Sequence, residues 1–123
     1  MGKTIVLVED EKLIQDLLVR KLLAEGYRVE VADDGEEGLV KIRELQPDLV
    51  LLDIILPKKD GMEVLEEMHK DDVLSRIPVI IISNSGQPVE IDRARELGAV
   101  DWLVKAEFDP LEVIEKVRQK LGA

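Results

Sequence analysis

The sequence predicts an α/β fold in which a five-stranded parallel sheet is covered by helices on both faces. Apolar runs of strand length alternate with segments of helical periodicity along the whole chain. Two of the runs, 49–52 and 79–82, contain no polar residue, which is typical of strands buried on both faces. Because a helical segment lies between each strand and the next, right-handed crossovers and therefore parallel strands are expected.

An acidic corner separates the first strand from the first helix. The apolar run that ends at Val8 predicts a buried strand, and Glu9, Asp10 and Glu11 follow it directly. Apolar residues then recur at helical spacing until Gly26 ends the helix: Leu13, Ile14, Leu17, Leu18 and Leu22. The first unit is therefore predicted to be a strand, an acidic turn and a helix.

The second unit is predicted to be a more exposed strand followed by a capped helix. Residues 27–32 alternate between polar and apolar side chains, which is typical of a partly exposed strand. Asp34 is predicted to cap the second helix, with Glu37 as its capping-box partner. The expected buried stripe of this helix is Leu39, Ile42 and Leu45, and Pro47 ends it.

The third and fourth units follow the same pattern. The third strand reaches Asp53, the loop 54–60 follows, and a helix is predicted over 62–70 with Val64, Leu65 and Met68 on one face. The fourth strand ends at Ser83. Pro88 is expected to start the next helix, which buries Ile91, Ala94 and Leu97 before Gly98 closes it.

The fifth unit completes the predicted sheet. A strand over 100–104 ends at Lys105, and Asp109 is expected to cap a last helix whose first position is Pro110. The apolar face of this helix is Val113, Ile114, Val117 and Leu121. For such a doubly wound (βα)5 chain, the flavodoxin-like strand order 2-1-3-4-5 places a topological switch point between the first and third strands.

Composition narrows the classes of function. A length of 123 residues fits one domain, and a net charge of -10, from 17 basic and 27 acidic residues, argues against a nucleic-acid surface. No cysteine is available for disulfides or thiolate metal sites. The apolar run 4–8 is too short for a signal peptide or a membrane span, so we expect a soluble, cytoplasmic protein without membrane contact.

Polar side chains stand at the ends of four predicted strands. Glu9 and Asp10 follow the first strand, Asp53 ends the third, Ser83 ends the fourth and Lys105 follows the fifth. Each residue alone is more typical of a helix cap or a surface charge. Because ligand sites lie at the carboxyl ends of parallel strands, their joint position predicts one site at one sheet edge.

Three carboxylates near the switch point favour a bound cation. Two of them about 4 Å apart would repel by about 4 kcal/mol at an effective dielectric near 20. Oxygen ligands without His or Cys favour Mg2+, and so few protein ligands leave positions for water and a phosphoryl oxygen. Beside a hydroxyl and a lysine, this pattern predicts phosphoryl transfer with Asp53 as the nucleophile.

Four segments together resemble the receiver domain of two-component response regulators. They read VEDE at 8–11, DIILPKKDG at 53–61, PVIIIS at 78–83 and GAVDWLVK at 98–105. ADDGEEGL at 32–39 is also similar to the entrance of the family's second helix. The resemblance covers essentially the whole chain and implies a single receiver domain over 1–123, similar to the stand-alone chemotaxis regulators.

The resemblance assigns a role to each residue at the acidic end of the site. Asp53 matches the phospho-acceptor, and Glu9 and Asp10 match the acidic pair that binds Mg2+. The backbone carbonyl of Ile55 matches the main-chain metal ligand of the family. The implied cofactor is therefore Mg2+, held by Glu9, Asp10, Asp53 and Ile55.

The resemblance also implies a switch. Ser83 matches the hydroxyl that contacts the phosphoryl group, Lys105 its ion-pair partner, and Trp102 an aromatic residue that turns inward on activation. The implied donor is a histidine kinase or a histidine phosphotransfer protein. Phosphorylation would change the surface of the fourth helix, fifth strand and fifth helix for a downstream protein target. Such a domain promotes its own phosphorylation and dephosphorylation and is not a multiple-turnover enzyme.

Several residues depart from the family pattern. Glu9 replaces an aspartate but keeps the charge, and Asn84 stands where the family prefers a small residue. Ala106 replaces a proline that commonly has a cis bond, so the Lys105-Ala106 bond is expected to be trans. Ile55 and Ser85 carry no carboxylate or amide that could orient an attacking water. The aspartyl phosphate is therefore expected to be long-lived.

Three other functions compete with this interpretation. A phosphatase of the haloacid dehalogenase type normally needs a second Asp two residues after the nucleophile, where this chain has Ile55. A flavin binder needs hydroxyls or glycines after the first strand, where this chain has acids. The third alternative is a receiver-shaped protein-interaction module that is not phosphorylated.

Overall fold

Five strands and five helices alternate in the computed structural model, which describes residues 2–84, 86–107 and 109–122. The strands are β1 (Thr4–Val8), β2 (Arg28–Ala32), β3 (Leu49–Asp53), β4 (Val79–Ser83) and β5 (Ala99–Val104). The helices are α1 (Lys12–Ala24), α2 (Gly35–Leu45), α3 (Gly61–His69), α4 (Pro88–Glu96) and α5 (Pro110–Leu121). A short 3-10 turn, Leu74–Arg76, precedes β4 and was not predicted.

All five strands are parallel and lie in the order β2-β1-β3-β4-β5. This confirms the predicted doubly wound order and its switch point between β1 and β3. Val8 pairs with Leu52, and Asp53 pairs with Ile82. This register brings the residues that follow β1, β3 and β4 to the same edge of the sheet.

The sheet separates two apolar layers. Along β1, Val6 and Val8 face the layer that also contains apolar residues of α2, α3 and α4. Ile5 and Leu7 face the opposite layer, which is filled by α1 and α5. Because β3 and β4 are buried at every position, they form the centre of the sheet, as their uninterrupted apolar runs predict.

Aspartate side chains cap the N-termini of α2, α3 and α5. The Glu37 amide donates to the Asp34 carboxylate at 2.8 Å, which confirms the predicted N-cap of α2. The predicted capping-box contact would have joined the Glu37 carboxylate to the Asp34 amide. In the structure the Glu37 carboxylate lies 3.3 Å from the Lys41 Nζ. Asp109 caps α5 in the same way, with Pro110 at the first helical turn. None of the described helices is long and apolar enough to cross a membrane.

Three residues on the predicted apolar stripes are exposed. Leu13 is 86% exposed and Leu17 is 39% exposed. Around α1, Leu17 lies about 100° and Leu13 about 140° from Leu18. The sheet therefore buries Leu18 and Leu22 and leaves Leu13 and Leu17 facing solvent. Leu45 is 44% exposed because it is the last residue of α2, where the stripe has turned away from the sheet.

Candidate functional site

Asp53 is a buried carboxylate at the end of the central strand β3. Its side chain is almost fully covered, and its Oδ1 accepts a hydrogen bond from the Ile54 amide at 2.7 Å. The next loop folds back tightly, because the Gly61 amide donates to the Ile54 carbonyl at 2.7 Å. A Cβ at Gly61 would lie 2.1 Å from the Asp53 carbonyl oxygen, so this turn requires a glycine.

The Lys105 ammonium lies among three carboxylates. Its Nζ is 2.9 Å from Asp53 Oδ2, 2.8 Å from Glu9 Oε1 and 2.9 Å from Glu11 Oε1. The Lys105 backbone amide donates to the Ser83 carbonyl at 2.7 Å, which attaches the residue after β5 to the end of β4. The Lys105-Ala106 bond is trans, as expected, since the described residues contain no cis peptide bond.

The acidic corner after β1 supplies the other carboxylates. Glu9 is fully buried, its amide donates to the Ala32 carbonyl at 3.0 Å, and its Oε2 accepts from the Glu11 amide at 3.0 Å. Its Oε1 contacts Lys105 as an ion pair but accepts no aligned hydrogen bond from any described residue. Asp10 follows on the exposed side of the corner.

Burial and the lysine act on these carboxylates in opposite directions. Burial raises the pKa of Glu9 to about 7, although Lys105 and the Glu11 amide favour its ionised form. Burial also raises the pKa of Asp53, again against the effect of Lys105. Burial disfavours the ammonium as well, but its ion pairs with the three acids outweigh this and raise the pKa of Lys105.

The donor set fits a hard divalent cation. Glu9, Asp10 and Asp53 each offer a carboxylate oxygen, and these oxygens lie within 4.8 Å of one another. Octahedral Mg2+ at about 2.1 Å from its ligands needs oxygens about 3 to 4 Å apart, so a small contraction suffices. The buried Glu9 Oε1 also lacks an aligned donor. Because one ammonium cannot neutralise three or four carboxylates, the site retains negative charge for such an ion.

A family model for the response regulator receiver domain matches residues 5–118 of this chain. The chain belongs to the receiver domain family. The matched residues include every described element except the first residue of β1 and the end of α5, so the fold and the site both lie within the receiver domain.

Solved receiver structures resemble the chain over nearly its whole length. The chemotaxis protein CheY4 of Vibrio cholerae has 25% sequence identity and a TM-score of 0.90, over 98% of this chain and 100% of that chain. The receiver domain of a sensor histidine kinase from Pseudomonas aeruginosa, with magnesium coordinated in its active-site cleft, has 26% identity and a TM-score of 0.88, over 100% of both chains. A chain of the CheX-CheY-BeF3-Mg2+ complex from Borrelia burgdorferi has 28% identity and a TM-score of 0.87, over 95% of this chain and 87% of that chain.

Of the remaining predicted residues of this receiver domain, Ser83 and Ile55 lie at the same sheet edge, and Trp102 lies further back in β5, where it pairs with Ile81. Ser83 is fully buried at the end of β4, and Asn84 beside it is exposed. Ile55 lies two residues after Asp53 with 68% of its surface exposed. Trp102 in β5 is half-buried against the layer of α2 to α4. Ser85 lies outside the described residues.

Two contacts of the receiver domain site were not predicted from the sequence. Glu11 reaches Lys105, although only Glu9 and Asp10 were assigned to the site. Gln15 is buried and donates hydrogen bonds to the Glu9 carbonyl and to Asp33. The run of three acids was a signal for Glu11, whereas a glutamine in a helix gives no such signal.

Proposed function

We propose that this receiver domain accepts a phosphoryl group on Asp53 and thereby changes its α4, β5 and α5 surface for a partner protein. The observation that carries the proposal is the contact between the buried Asp53 carboxylate and the Lys105 ammonium, beside Glu9 and Asp10. Phosphoryl transfer needs positioning and charge neutralisation more than covalent help from the protein. Asp53 meets that need, because the Lys105 ammonium lies on one side of it and the carboxylates of Glu9 and Asp10, which can bind a cation, lie on the other.

In the proposed reaction, a carboxylate oxygen of Asp53 bonds to phosphorus while the P–N bond of a phosphohistidine breaks. The bonding electron pair returns to the imidazole nitrogen. A phosphohistidine that is protonated on its other ring nitrogen leaves as neutral histidine, so the receiver supplies no proton. Burial raises the pKa of Asp53, and Lys105 acts against it by favouring the ionised form that the attack requires.

Glu9, Asp10, Asp53 and the backbone carbonyl of Ile55 are the proposed ligands of Mg2+. The magnesium ion in the Pseudomonas relative supports this assignment, as does the buried Oε1 of Glu9, which has an ion-pair contact with Lys105 but no aligned hydrogen-bond donor among the described residues. When bound, Mg2+ neutralises charge on the phosphoryl oxygens. These residues would hold the ion, and the burial of Asp53 excludes water from its covered side.

The proposed switch begins with charge at Asp53. A phosphoryl group adds about 1.5 to 2 negative charges, which attract the Ser83 hydroxyl and the Lys105 ammonium. Their movement would shift the ends of β4 and β5. Trp102 lines a cavity of about 170 Å³ between α4 and β5, which leaves space for its ring to reorient. Moving such an equilibrium from 1:99 to 99:1 needs about 5.5 kcal/mol.

The proposed partners are proteins. A histidine kinase or a histidine phosphotransfer protein would donate the phosphoryl group, and a downstream protein would bind the changed surface. The CheX-CheY complex among the similar structures supports a protein partner. We further propose that residues 1–123 form one receiver domain that is a phosphoryl acceptor and not a multiple-turnover enzyme; its cytoplasmic location stays a prediction.

Intact-mass spectrometry after treatment with acetyl phosphate tests this function. The wild type is expected to gain one phosphoryl group with Mg2+ and almost none with EDTA, while Asp53→Asn gains none. Asp92→Asn is the matched control, because Asp92 is an exposed carboxylate on α4. No gain on the wild type, under conditions that label another receiver, would favour an interaction module that is not phosphorylated.

A further inference from the structure

Gln15 is the one buried polar residue, among those the structure describes, that has no role in the proposed phosphorylation. The other buried polar or charged residues are Glu9, Asp53 and Ser83, and all of them belong to the proposed site. Gln15 is only 4% exposed although it lies in the second turn of α1. A buried amide is expected to have hydrogen-bond partners that stabilise it there.

The Gln15 amide joins three segments of the chain. Its Nε2 donates to the Glu9 carbonyl and, at 2.6 Å, to Asp33 Oδ1 after β2. Its Oε1 accepts from Lys12 Nζ at 3.3 Å. Because both groups facing Nε2 are acceptors, only this orientation of the amide satisfies them. The Asp33 carboxyl responds to this contact, since its pKa is held below its ordinary value chiefly by Gln15.

The contact with the Glu9 carbonyl holds the backbone of the acidic corner between β1 and α1. Glu11 is the N-cap of α1, but no side chain caps the first turn. The Glu9 carbonyl belongs to the peptide group that joins Glu9 to Asp10, so holding this oxygen fixes the peptide plane up to the Asp10 Cα and restricts the directions open to the Asp10 side chain. Gln15 therefore acts on the carbonyl that precedes α1, whereas an ordinary helix cap accepts hydrogen bonds from the amides of the first turn.

We propose that Gln15 is a positioning residue that orients Glu9 and Asp10 for binding a divalent cation. Its hydrogen bond to the Glu9 carbonyl sets the peptide plane, and its hydrogen bond to Asp33 anchors the amide to the end of β2. The inference rests on the proposed Mg2+ site. Partners of this kind, which touch a ligand but not the ion, typically change metal affinity 10- to 100-fold when they are removed.

The test is the Mg2+ dissociation constant, measured on the whole chain by calorimetry and by NMR titration. Gln15→Leu removes both donors and is expected to weaken Mg2+ binding by about tenfold. Gln15→Glu keeps the size of the side chain but places a carboxylate oxygen against the Glu9 carbonyl and the Asp33 carboxylate, both of which are acceptors. It is expected to weaken Mg2+ binding at least as much. Gln15→Lys keeps a donor and is expected to remain within about threefold of the wild type, since Lys12 is exposed and can turn away.

Two further measurements separate positioning from general stability. Gln119→Leu is the matched control, because Gln119 is an exposed glutamine on α5. Its Mg2+ affinity is expected to equal that of the wild type, and urea unfolding monitors the stability of every variant. In the metal-free protein, the pKa of the Asp33 carboxyl, followed by NMR, is expected to rise in Gln15→Leu and to stay low in Gln15→Lys.

The outcomes distinguish this inference from the proposed function. Wild-type binding of Mg2+ with unchanged affinity in folded Gln15→Leu and Gln15→Glu would overturn the role of Gln15 alone. Equal weakening in Gln15→Lys and Gln15→Leu would also overturn it, because the donor would then not matter. A wild type that does not bind Mg2+ would overturn both the proposed site and this inference. Should Gln15→Leu fail to fold, Gln15→Glu supplies the comparison.

Discussion

Replacing Glu9 by glutamine is expected to stabilise the metal-free fold at alkaline pH and to weaken Mg2+ binding. The Glu9 side chain is fully buried, and its Oε1 has an ion-pair contact but no aligned hydrogen bond from the described residues. Folding must therefore bury a carboxylate that is only partly compensated. Glutamine keeps the size of the side chain and removes the charge.

The pKa of Glu9 gives the sign and the size of the effect. Folding raises it from 4.5 to about 7, so the folded chain binds this proton more tightly than the unfolded chain. The contribution of Glu9 to stability is full below pH 4.5 and is lost as the pH rises through about 7. At about 1.4 kcal/mol per pKa unit the loss is at most about 3 to 4 kcal/mol. Because solvent reaches the exposed side of the corner and screens part of the charge, we expect about 1 to 3 kcal/mol.

Urea unfolding in EDTA, followed by the fluorescence of the single tryptophan, measures this difference. Glu9→Gln is expected to exceed the wild type by about 1 to 3 kcal/mol at pH 8 and to match it near pH 5. Glu44→Gln, at an exposed position of α2, is the control and should show no such pH dependence. A Glu9→Gln variant that is less stable than the wild type at pH 8, or that differs equally at both pH values, would refute the reasoning.

Three further substitutions test other parts of the site. Lys105→Met leaves Glu9 and Asp53 buried without their ammonium and is expected to cost about 3 to 5 kcal/mol in EDTA at pH 8; a urea midpoint equal to that of the wild type would contradict the ion-pair account. Gly61→Ala places a Cβ 2.1 Å from the Asp53 carbonyl oxygen and should cost about 1 to 3 kcal/mol in urea unfolding, whereas Gly86→Ala meets only a Val104 methyl and should cost less. Ile55→Asn supplies an amide that can orient water and is expected to speed decay of the aspartyl phosphate about tenfold, which lowers the barrier by about 1.4 kcal/mol. Intact-mass spectrometry follows the decay, and Ile55→Leu is the control. An unchanged decay rate would count against the expected long lifetime.

The fold could be predicted because its strongest signals are local. The uninterrupted apolar runs of β3 and β4 identified the centre of the sheet, and the capping residue Asp34 identified the start of α2. The alternation of strands and helices predicted parallel strands, and the order 2-1-3-4-5 followed from the flavodoxin-like fold class and not from periodicity. Periodicity did not show where each stripe meets the sheet, so Leu13 and Leu45 were assigned to faces that the structure exposes.

From the sequence, only those site residues that end or directly follow a predicted strand could be identified. Asp53 and Lys105 were placed at one sheet edge because parallel strands end together, and the structure brings them to 2.9 Å. The run of three acids after β1 was a signal for Glu11, but its contact with Lys105 also depends on the direction of its side chain in the folded protein. The role of Gln15 depends on Asp33, which lies on a different strand end, so only the folded chain brings the pair together. The chemical roles of these residues stay predictions.

The central claim is that Asp53 is the residue that accepts the phosphoryl group. Hydroxylamine cleaves an acyl phosphate and leaves a hydroxamate on the same carboxyl group, which tandem mass spectrometry can locate. After treatment with acetyl phosphate and Mg2+, removal of the reagent and addition of hydroxylamine, the account predicts a hydroxamate on Asp53 and none when Mg2+ is omitted. A hydroxamate on Glu9 or Asp10, or a phosphoryl group that resists hydroxylamine, would contradict it.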